Sequence, residues 1–165
     1  MPVIVVRAAD FGKSGGESPA ELVADAALRA RIEAIRLKAG RLMNLGDVTD
    51  MSVPKITLLA PARDGGAVTT RTFIPHRVHD AIGVFGAVGV ATACALKGSV
   101  AYAFAGREVR GPVDLDIGHP SGVFTVSMEV EGEGADLVVR RSALLRTARK
   151  LMSGEVFVSR KVWPL

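Results

Sequence analysis

The sequence is poor in cysteine, histidine and aromatic residues, and each shortage narrows the possible function. Cys94 has no second cysteine to pair with, so an internal disulfide is excluded and a reducing compartment is favoured. One cysteine and three histidines form no cluster with metal-ligand spacing, and we expect no structural metal. Aromatic residues make up 5% of the chain. The core must therefore be built mainly from Val, Ala, Leu and Ile.

The charge pattern and the apolar runs argue against nucleic acid and membranes as partners. The formal charge is +4, but the cations are scattered and form no basic stripe interleaved with aromatics. A mildly positive protein is compatible with an anionic small substrate. The charge-free apolar run 81–96 is shorter than the roughly 20 residues that a spanning helix needs, and Asp80 and Lys97 close it. Residues 1–7 lack the features of a secretory leader, so the prediction is a cytoplasmic protein.

Size and composition predict one domain over residues 1–165 with an α+β fold. At 165 residues and 48% hydrophobic content the chain can bury a substantial core. Its 18 glycines and 8 prolines divide it into short elements. We therefore expect a mixed, strand-rich sheet with a small number of helices.

Two longer helices are predicted. Ser18 to Glu21 has the spacing of a capping box, and Asp25 is a second possible cap, a choice that the sequence leaves open. An amphipathic helix over about 26–44 follows, with Arg36 assigned to its polar side and its apolar positions at Leu28, Ile32, Ile35, Ala39 and Leu42. The run 81–96 is predicted to be a buried central helix wrapped by strands. Its three-residue glycine spacing predicts close backbone approach at Gly83, Gly86 and Gly89.

The remaining segments are predicted mostly as strands. Hydrophobic runs between turn residues predict strands at 3–6, 53–59, 68–74, 99–105, 113–117, 123–131, 136–141 and 156–158. The Asp64–Gly65 step predicts a hairpin turn between the second and third of these. Residues 142–151 are predicted to form a short basic helix.

Two places offer donors for a carboxylate ligand. The loop Gly-His-Pro-Ser-Gly at 118–122 combines His119, Ser121 and the amides of Gly118 and Gly122 on a sharp bend. The helix entry at 75–80 places His79 beside free helical N–H groups, which attract anions. The alternatives are an ordinary turn for the loop and simple helix capping for His79. We expect the loop and the helix entry to lie at one edge of the fold, because a polycarboxylate needs converging donors.

Five other side chains have competing interpretations. Lys55 and Arg71 are isolated cations on predicted strands and could hold a substrate carboxylate, or could be solvent-facing charges. Asp114 and Asp116 share one face of a strand, which fits a carboxylate pair or, more simply, solubilisation of an edge strand. Cys94 has no cationic neighbour in sequence and is predicted to be an inert core residue.

Six segments of the chain carry a family pattern: Pro2-Val-Ile-Val-Val with Ala9-Asp-Phe-Gly, the Ile35-Arg36 helix ending at Met43, Val53-Pro-Lys-Ile, the His79 helix ending at Gly98, Gly118-His-Pro-Ser-Gly, and Arg146-Thr-Ala-Arg-Lys-Leu-Met-Ser-Gly. Together they resemble the carboxyl-terminal half of the PrpF family, which includes methylaconitate cis–trans isomerase and 4-oxalomesaconate tautomerase. Each segment alone is weak evidence for the resemblance, but all six occur in the same order as in the family.

The resemblance implies a diaminopimelate epimerase-like fold, with two similar domains that each wrap a mixed sheet around a central helix. It implies a cofactor-free allylic proton shift on an unsaturated polycarboxylate. The family's catalytic lysine and cysteine lie in the amino half, so neither Lys55 nor Cys94 inherits a catalytic role. Phe85 departs from the family pattern, in which a small or hydroxyl residue is expected at this position. This departure puts hydrogen-bond donors in the first turns of the central helix in doubt.

The expected substrate-binding residues are His119, Ser121, Gly122, Lys55, Arg71 and His79. The expected partners are the substrate and either an amino-terminal half or a second copy of this chain. A truncated, non-catalytic binding or dimerisation module is the alternative.

Overall fold

A computed structural model describes residues 1–63, 65–106, 108–146 and 148–163, and it has the expected α+β fold. Six strands form one mixed sheet: β1 (Val3–Arg7), β2 (Lys55–Ala60), β3 (Val68–Phe73), β4 (Gly111–His119), β5 (Gly122–Glu131) and β6 (Val138–Leu144). The α-helices in the described ranges are α1 (Pro19–Ala24), α2 (Ala26–Leu42), α3 (Val84–Ala95) and α4 (Val100–Ala105). Short 3-10 turns lie at Ala8–Phe11 and Gly134–Asp136.

The strands lie side by side in chain order, and the contact between β3 and β4 is short. β1 pairs with β2 in parallel and β3 with β4 in parallel, whereas the other neighbours are antiparallel. β3 and β4 are paired only at Val68↔Ile117 and Thr69↔Gly118. Beyond that point the chain between β3 and α3 covers the β3 edge, because Val78 bridges to Phe73 and the His79 N–H donates to the Thr72 carbonyl. The end of β4 and the entry to α3 thus meet beside β3.

The core has two parts, one on each face of the sheet. On one face α3 and α4 pack against residues such as Leu59, Leu115 and Val126. On the other, residues of α1 and α2 pack against Ile56 and Leu58. The central position of the apolar helix is therefore confirmed, with α3 contacting β1, β4, β5 and β6.

The predicted bounds of α3 and its glycine face need correction. The helix begins at Val84, because Gly83 is an extended N-cap residue and the three residues before it are not helical. Of the three spaced glycines, Gly89 makes the close approach to a strand: a Cβ there would lie 3.3 Å from a methyl group of Val3. At Gly86 the nearest contact would be Ile82, just before the helix, and at Gly83 the space is open.

The two possible caps before the amphipathic helix are both used. Ser18 caps α1 through a complete capping box with Glu21, and the Asp25 carboxylate accepts the Leu28 N–H to begin α2. The chain thus forms two helices in succession. α2 ends at Leu42, two residues before the predicted end, and Asn44 adopts the left-handed conformation at φ 57°.

The assignment of Arg36 to the polar side of α2 is wrong. Arg36 is fully buried, whereas Leu42, expected on the apolar side, is 76% exposed. The buried positions of α2 are Leu28, Ile32, Arg36 and Gly40, a strict four-residue repeat. The buried guanidinium is accommodated because its N–H groups have acceptors on Glu33 and on the loop after the helix.

Three other predicted elements are also wrong. Residues 99–105 form the end of a turn and helix α4 instead of a strand, because the Ser99 hydroxyl accepts the Tyr102 N–H and the left-handed Gly106 ends the helix. The helix predicted at 142–151 is absent from the described residues of that range, and 142–144 belong to β6. The strand predicted at 156–158 is likewise unformed in the described stretch 148–163.

Two residues of predicted elements lie outside the described ranges. Thr147 falls within the predicted basic helix, and Asp64 falls within the predicted hairpin turn. Within the described ranges no helix is long and apolar enough to cross a membrane.

Candidate functional site

The loop between β4 and β5 touches the segment that leads into α3. His119 ends β4 and Gly122 begins β5, so Pro120 and Ser121 form a two-residue tip. The Ser121 hydroxyl donates to the Asp80 carbonyl at 2.8 Å. At the other end of the loop the Gly118 carbonyl accepts a hydrogen bond of 2.7 Å from the Thr70 hydroxyl. The expectation that the loop and the helix entry share one edge is confirmed; we call residues 118–122 with 79–80 the loop–helix cluster.

His79 has a defined orientation within this cluster. Its Nδ1 accepts the Ala81 N–H at 3.0 Å, so a neutral ring carries its proton on Nε2. His79 thereby caps the turn before α3 instead of the helix itself. The N-cap of α3 is Gly83, which supplies no side-chain acceptor, so the first helical N–H groups remain available as donors.

His119 is half-buried beside these groups. Its Nδ1 lies 3.3 Å from the Ser121 hydroxyl. Burial lowers the pKa of His119, and the positive charges of His79 and Arg71 lower it further, while a backbone hydrogen bond with Val123 partly opposes them. The ring is therefore held toward its neutral form, in which it can donate or accept one hydrogen bond.

Arg71 is buried, so the alternative interpretation of a solvent-facing charge is wrong for this residue. It is 6% exposed, its Nε donates to the Glu17 carbonyl at 2.5 Å and its Nη1 to the Thr70 carbonyl at 2.8 Å. Desolvation lowers the pKa of Arg71, as does the nearby charge of Arg63, partly opposed by Glu17. Arg71 lies opposite Leu58, on the face that packs against α1 and α2. It adds positive charge near His119 through space.

Lys55 is at the same end of the sheet as the loop–helix cluster. It is the first residue of β2, half-buried, and its N–H donates to the Pro2 carbonyl. The next residue, Ile56, pairs with Phe73 at the end of β3, the end toward which β4 also runs. The register therefore places Lys55 at this end, two strands away from the β4–β5 loop.

Cys94 and the aspartate pair lie elsewhere. Cys94 is fully buried, and burial raises the pKa of its thiol to about 12, which agrees with an inert core residue. Asp114 and Asp116 accept hydrogen bonds from Ser127 and Thr125 across the β4–β5 pair. β4 is an inner strand of the sheet, but its pairing with β3 is limited to Ile117 and Gly118, so Asp114 lies where β4 pairs with β5 alone. Both carboxylates are exposed, which fits the solubilising interpretation.

Sequence reasoning did not find Arg36 or the tether at Asp80. Arg36 is four residues after Ile32 and four before Gly40, in the buried four-residue repeat of α2. This spacing was the sequence signal that could have predicted its burial. The Asp80 contact uses a backbone carbonyl, which no side-chain pattern identifies.

Two cavities differ in their suitability for an anion. One of about 160 Å³ is lined by Ile74, Arg77, Val78, His79 and Asp80, within and beside the loop–helix cluster. A larger one of about 350 Å³ lies near the other end of β1 and β2 and includes Leu59, Pro61 and Phe104 in its lining. Its cations are Arg7 and Lys13, and Lys13 is paired with Asp25 at 2.7 Å. The smaller cavity combines Arg77 and His79 in its lining and lies beside Ser121, which bonds to Asp80.

The fold and the site define an α+β domain that gathers hydrogen-bond donors and cations at one end of a mixed sheet. The family model described as PrpF protein matches residues 1–159, and the chain belongs to the PrpF family.

Curated relatives match almost the whole chain but extend well beyond it. The (4E)-oxalomesaconate Delta-isomerase of Novosphingobium sp. (strain KA1) is 55% identical over 158 residues, covering 96% of this chain and 43% of the relative. The 4-oxalomesaconate tautomerase of Pseudomonas putida KT2440 is 49% identical, with 99% and 44% coverage. The chain thus spans less than half the length of these relatives.

A solved structure supports the fold. The crystal structure of methylitaconate-delta-isomerase aligns with a TM-score of 0.70 at 20% sequence identity, over 87% of this chain and 42% of that one. At this identity the likeness bears on the fold alone.

Proposed function

We propose that this chain is the carboxyl-terminal half of a PrpF-type isomerase, equivalent to the second of two similar domains with a diaminopimelate epimerase-like fold. The packing of α3 against β1, β4, β5 and β6 supports one such unit, a sheet wrapped around a central helix. The coverage of 43–44% of the curated relatives supports a second unit of similar size.

The proposed reaction is a cofactor-independent allylic proton shift on an unsaturated polycarboxylate of the 4-oxalomesaconate or methylaconitate type. The names of the relatives support this class of substrate. In such a shift a base removes a proton from a carbon next to a carboxylate or oxo group, and an acid returns a proton at the other end of the allylic system. The dienolate between the two steps carries negative charge that donors and cations must stabilise.

This chain would supply those donors and cations. The observation that carries the proposal is the hydrogen bond between Ser121 and the Asp80 carbonyl, which brings the loop and the α3 entry into one cluster. There Nε2–H of His79 and the ring of His119 would bind a carboxylate, while Gly122 pairs with His119 where the β4–β5 loop begins and ends. Lys55 provides a cation at the same end of the sheet, and Arg71 contributes through its field, since its guanidinium is bound to carbonyl groups.

The acid and base of the reaction would come from outside this chain. Cys94 is buried with a pKa of about 12, which excludes a reactive thiolate at neutral pH. An amino-terminal half, or less directly a second copy of the chain, would complete the site.

The test is to assay the purified chain with 4-oxalomesaconate and with methylaconitate, alone and after mixing with the amino-terminal part of the P. putida tautomerase. We expect no isomerisation by the chain alone and turnover by the mixture. Turnover by the chain alone that is lost on substituting His119 would refute the half-site. A folded, stable mixed complex without turnover would favour the non-catalytic binding or dimerisation module.

A further inference from the structure

Phe85 is a large apolar side chain that remains exposed in the first turn of the central helix. It is the second residue of α3 and is 69% exposed, whereas the helix buries the neighbouring Gly86, Ala87 and Val90. A phenylalanine carries a large apolar surface, which is usually covered in a core or at a contact with another molecule. Packing within the described residues leaves most of this ring uncovered.

The contacts of α3 show toward which end of the sheet the ring lies. Gly89 is four residues after Phe85 and therefore on the same side of the helix. A Cβ at Gly89 would lie 3.3 Å from a methyl group of Val3, so this side of α3 faces the beginning of β1. Helical side chains incline toward the amino end of their helix. The Phe85 ring therefore lies beyond Val3, toward the end of α3 at which Ser121 is tethered to Asp80.

Lys55 lies on the same face of the sheet as α3. It is the register partner of Val3 in the β1–β2 pair, and partner residues on adjacent strands direct their side chains to the same face. Leu59, four residues after Lys55 on β2, belongs to the core beneath α3, which gives the same result. Lys55 and Phe85 are thus on one face and at one end of the sheet, together with the loop–helix cluster.

This end of the sheet combines groups that bind carboxylates with one flat apolar surface. The N–H of Phe85 is among those at the start of α3 that have no intrahelical partner, and Lys55 and His79 add a cation and a donor. Ligand sites typically have apolar or aromatic walls and a few polar groups that fix the orientation of the ligand. A benzyl ring beside such groups suits a ligand that has a flat carbon skeleton between its carboxylates.

The electronic character of the ring favours an unsaturated skeleton over a saturated one. A C=C bond conjugated with carboxylate or oxo groups is planar and electron-poor, so it can stack on the electron-rich face of an aromatic ring. A saturated chain is staggered at every carbon and cannot lie flat on the ring.

We infer that Phe85 is a specificity-determining residue, whose ring is the wall on which the planar, conjugated skeleton of the substrate stacks. The inference rests on the proposed function for the place where the substrate binds. It narrows the substrate class to polycarboxylates whose carboxylates are joined through a C=C bond. The ring has no proton to transfer, so Phe85 selects the ligand and takes no part in the proton shift itself.

The experiment compares trans-aconitate with tricarballylate, which carries the same three carboxylates on a saturated chain. Calorimetry gives the Kd of each ligand for this chain mixed with the amino-terminal part of the P. putida tautomerase. We expect trans-aconitate to bind about threefold to tenfold more tightly, and Phe85→Leu, which stays apolar but removes the ring, to bring the ratio to about one. Phe85→Tyr keeps the ring and should keep the ratio. Leu96→Ala, at an exposed apolar position at the other end of α3, is the matched control and should leave both Kd values unchanged.

Equal Kd values for the two ligands in the unaltered complex, or a ratio that persists in Phe85→Leu, would overturn the inference. Weaker association of the two halves in Phe85→Leu with an unchanged ligand ratio would place the ring in the contact between the halves, also against the inference.

The inference and the proposed function fail separately. Turnover of 4-oxalomesaconate by a complex whose ligand ratio does not depend on Phe85 would uphold the proposed function and overturn the inference. A ratio that depends on the ring, in a complex without turnover, would support the role of Phe85 and contradict the isomerase. A mixture that binds neither ligand would contradict both.

Discussion

Arg36 and Glu33 form a two-point ion pair on α2, with Nε and Nη2 of the arginine each 2.8 Å from a carboxylate oxygen. The remaining donors of the buried guanidinium bind carbonyl groups at 2.8–3.2 Å on Val48, Thr49, Met51 and Val53. One side chain thus holds the loop that leads into β2. The Glu33 carboxylate raises the pKa of Arg36, and Arg36 lowers that of Glu33.

We predict that Arg36→Met lowers the free energy of unfolding by about 3 kcal/mol or more, because it leaves several inward-facing carbonyls without donors. Urea unfolding followed by circular dichroism measures the change. Arg41→Met, at an exposed position of the same helix, is the control and should alter stability by less than about 0.5 kcal/mol. Similar losses for the two variants would show that the loop does not depend on Arg36.

We predict that the Cys94 thiol resists alkylation in the native protein, since it is fully buried with a pKa of about 12. Mass spectrometry after iodoacetamide treatment at pH 8 should show an unmodified native chain and a fully modified one in denaturant. The reconstituted enzyme should remain active with Cys94→Ala. Rapid labelling of the native chain would contradict the packed, inert thiol.

The pH dependence of stability should report the environment of His119. Its pKa in the native state is lowered from 6.5, so the unfolded chain binds the proton more readily. The stability that the neutral ring provides is present above pH 6.5 and is lost as the pH falls toward the native pKa. We expect His119→Gln to reduce the loss of stability between pH 7.5 and pH 5 in urea unfolding. His76→Gln, at an exposed histidine, is the control; equal effects of the two substitutions would refute the assignment.

The sequence determined the local features well where one interaction dominated. The capping box at Ser18 and the apolar run of α3 each depend on contacts within a few residues, and both appear in the structure. Residues 100–105 form a helix because the N-cap at Ser99 outweighs the strand propensity of the side chains. Residues 156–158 have a high strand propensity but form no strand, because no neighbouring strand pairs with them. A local sequence pattern does not reveal whether such a neighbour is present.

The candidate site was predictable in its parts but not in its assembly. His119, Ser121 and His79 were found from glycine-rich and helix-entry patterns. Their convergence requires β4 to run past the short pairing with β3 until Ser121 meets Asp80. The burial of Arg71 depends on carbonyl groups of Glu17 and Thr70, one of them 54 residues away in sequence.

The last prediction concerns the loop itself. In the enzyme reconstituted from two halves, His119→Ala should lower kcat/KM by about tenfold to a hundredfold, because loss of a hydrogen bond to a charged group costs about 1.5–3 kcal/mol. Ser121 donates its proton to the Asp80 carbonyl, so it acts as a positioning residue, and Ser121→Ala should raise KM more than it lowers kcat because the loop loses its tether. Ser127→Ala is the matched control: its hydroxyl makes a comparable bond to Asp114 on the same pair of strands, away from the loop. Equal losses for Ser121→Ala and Ser127→Ala, with native circular dichroism spectra, would show that the tether does not position the loop. Unchanged kcat/KM for His119→Ala would show that the loop does not contact the substrate and that His119 is an ordinary turn residue.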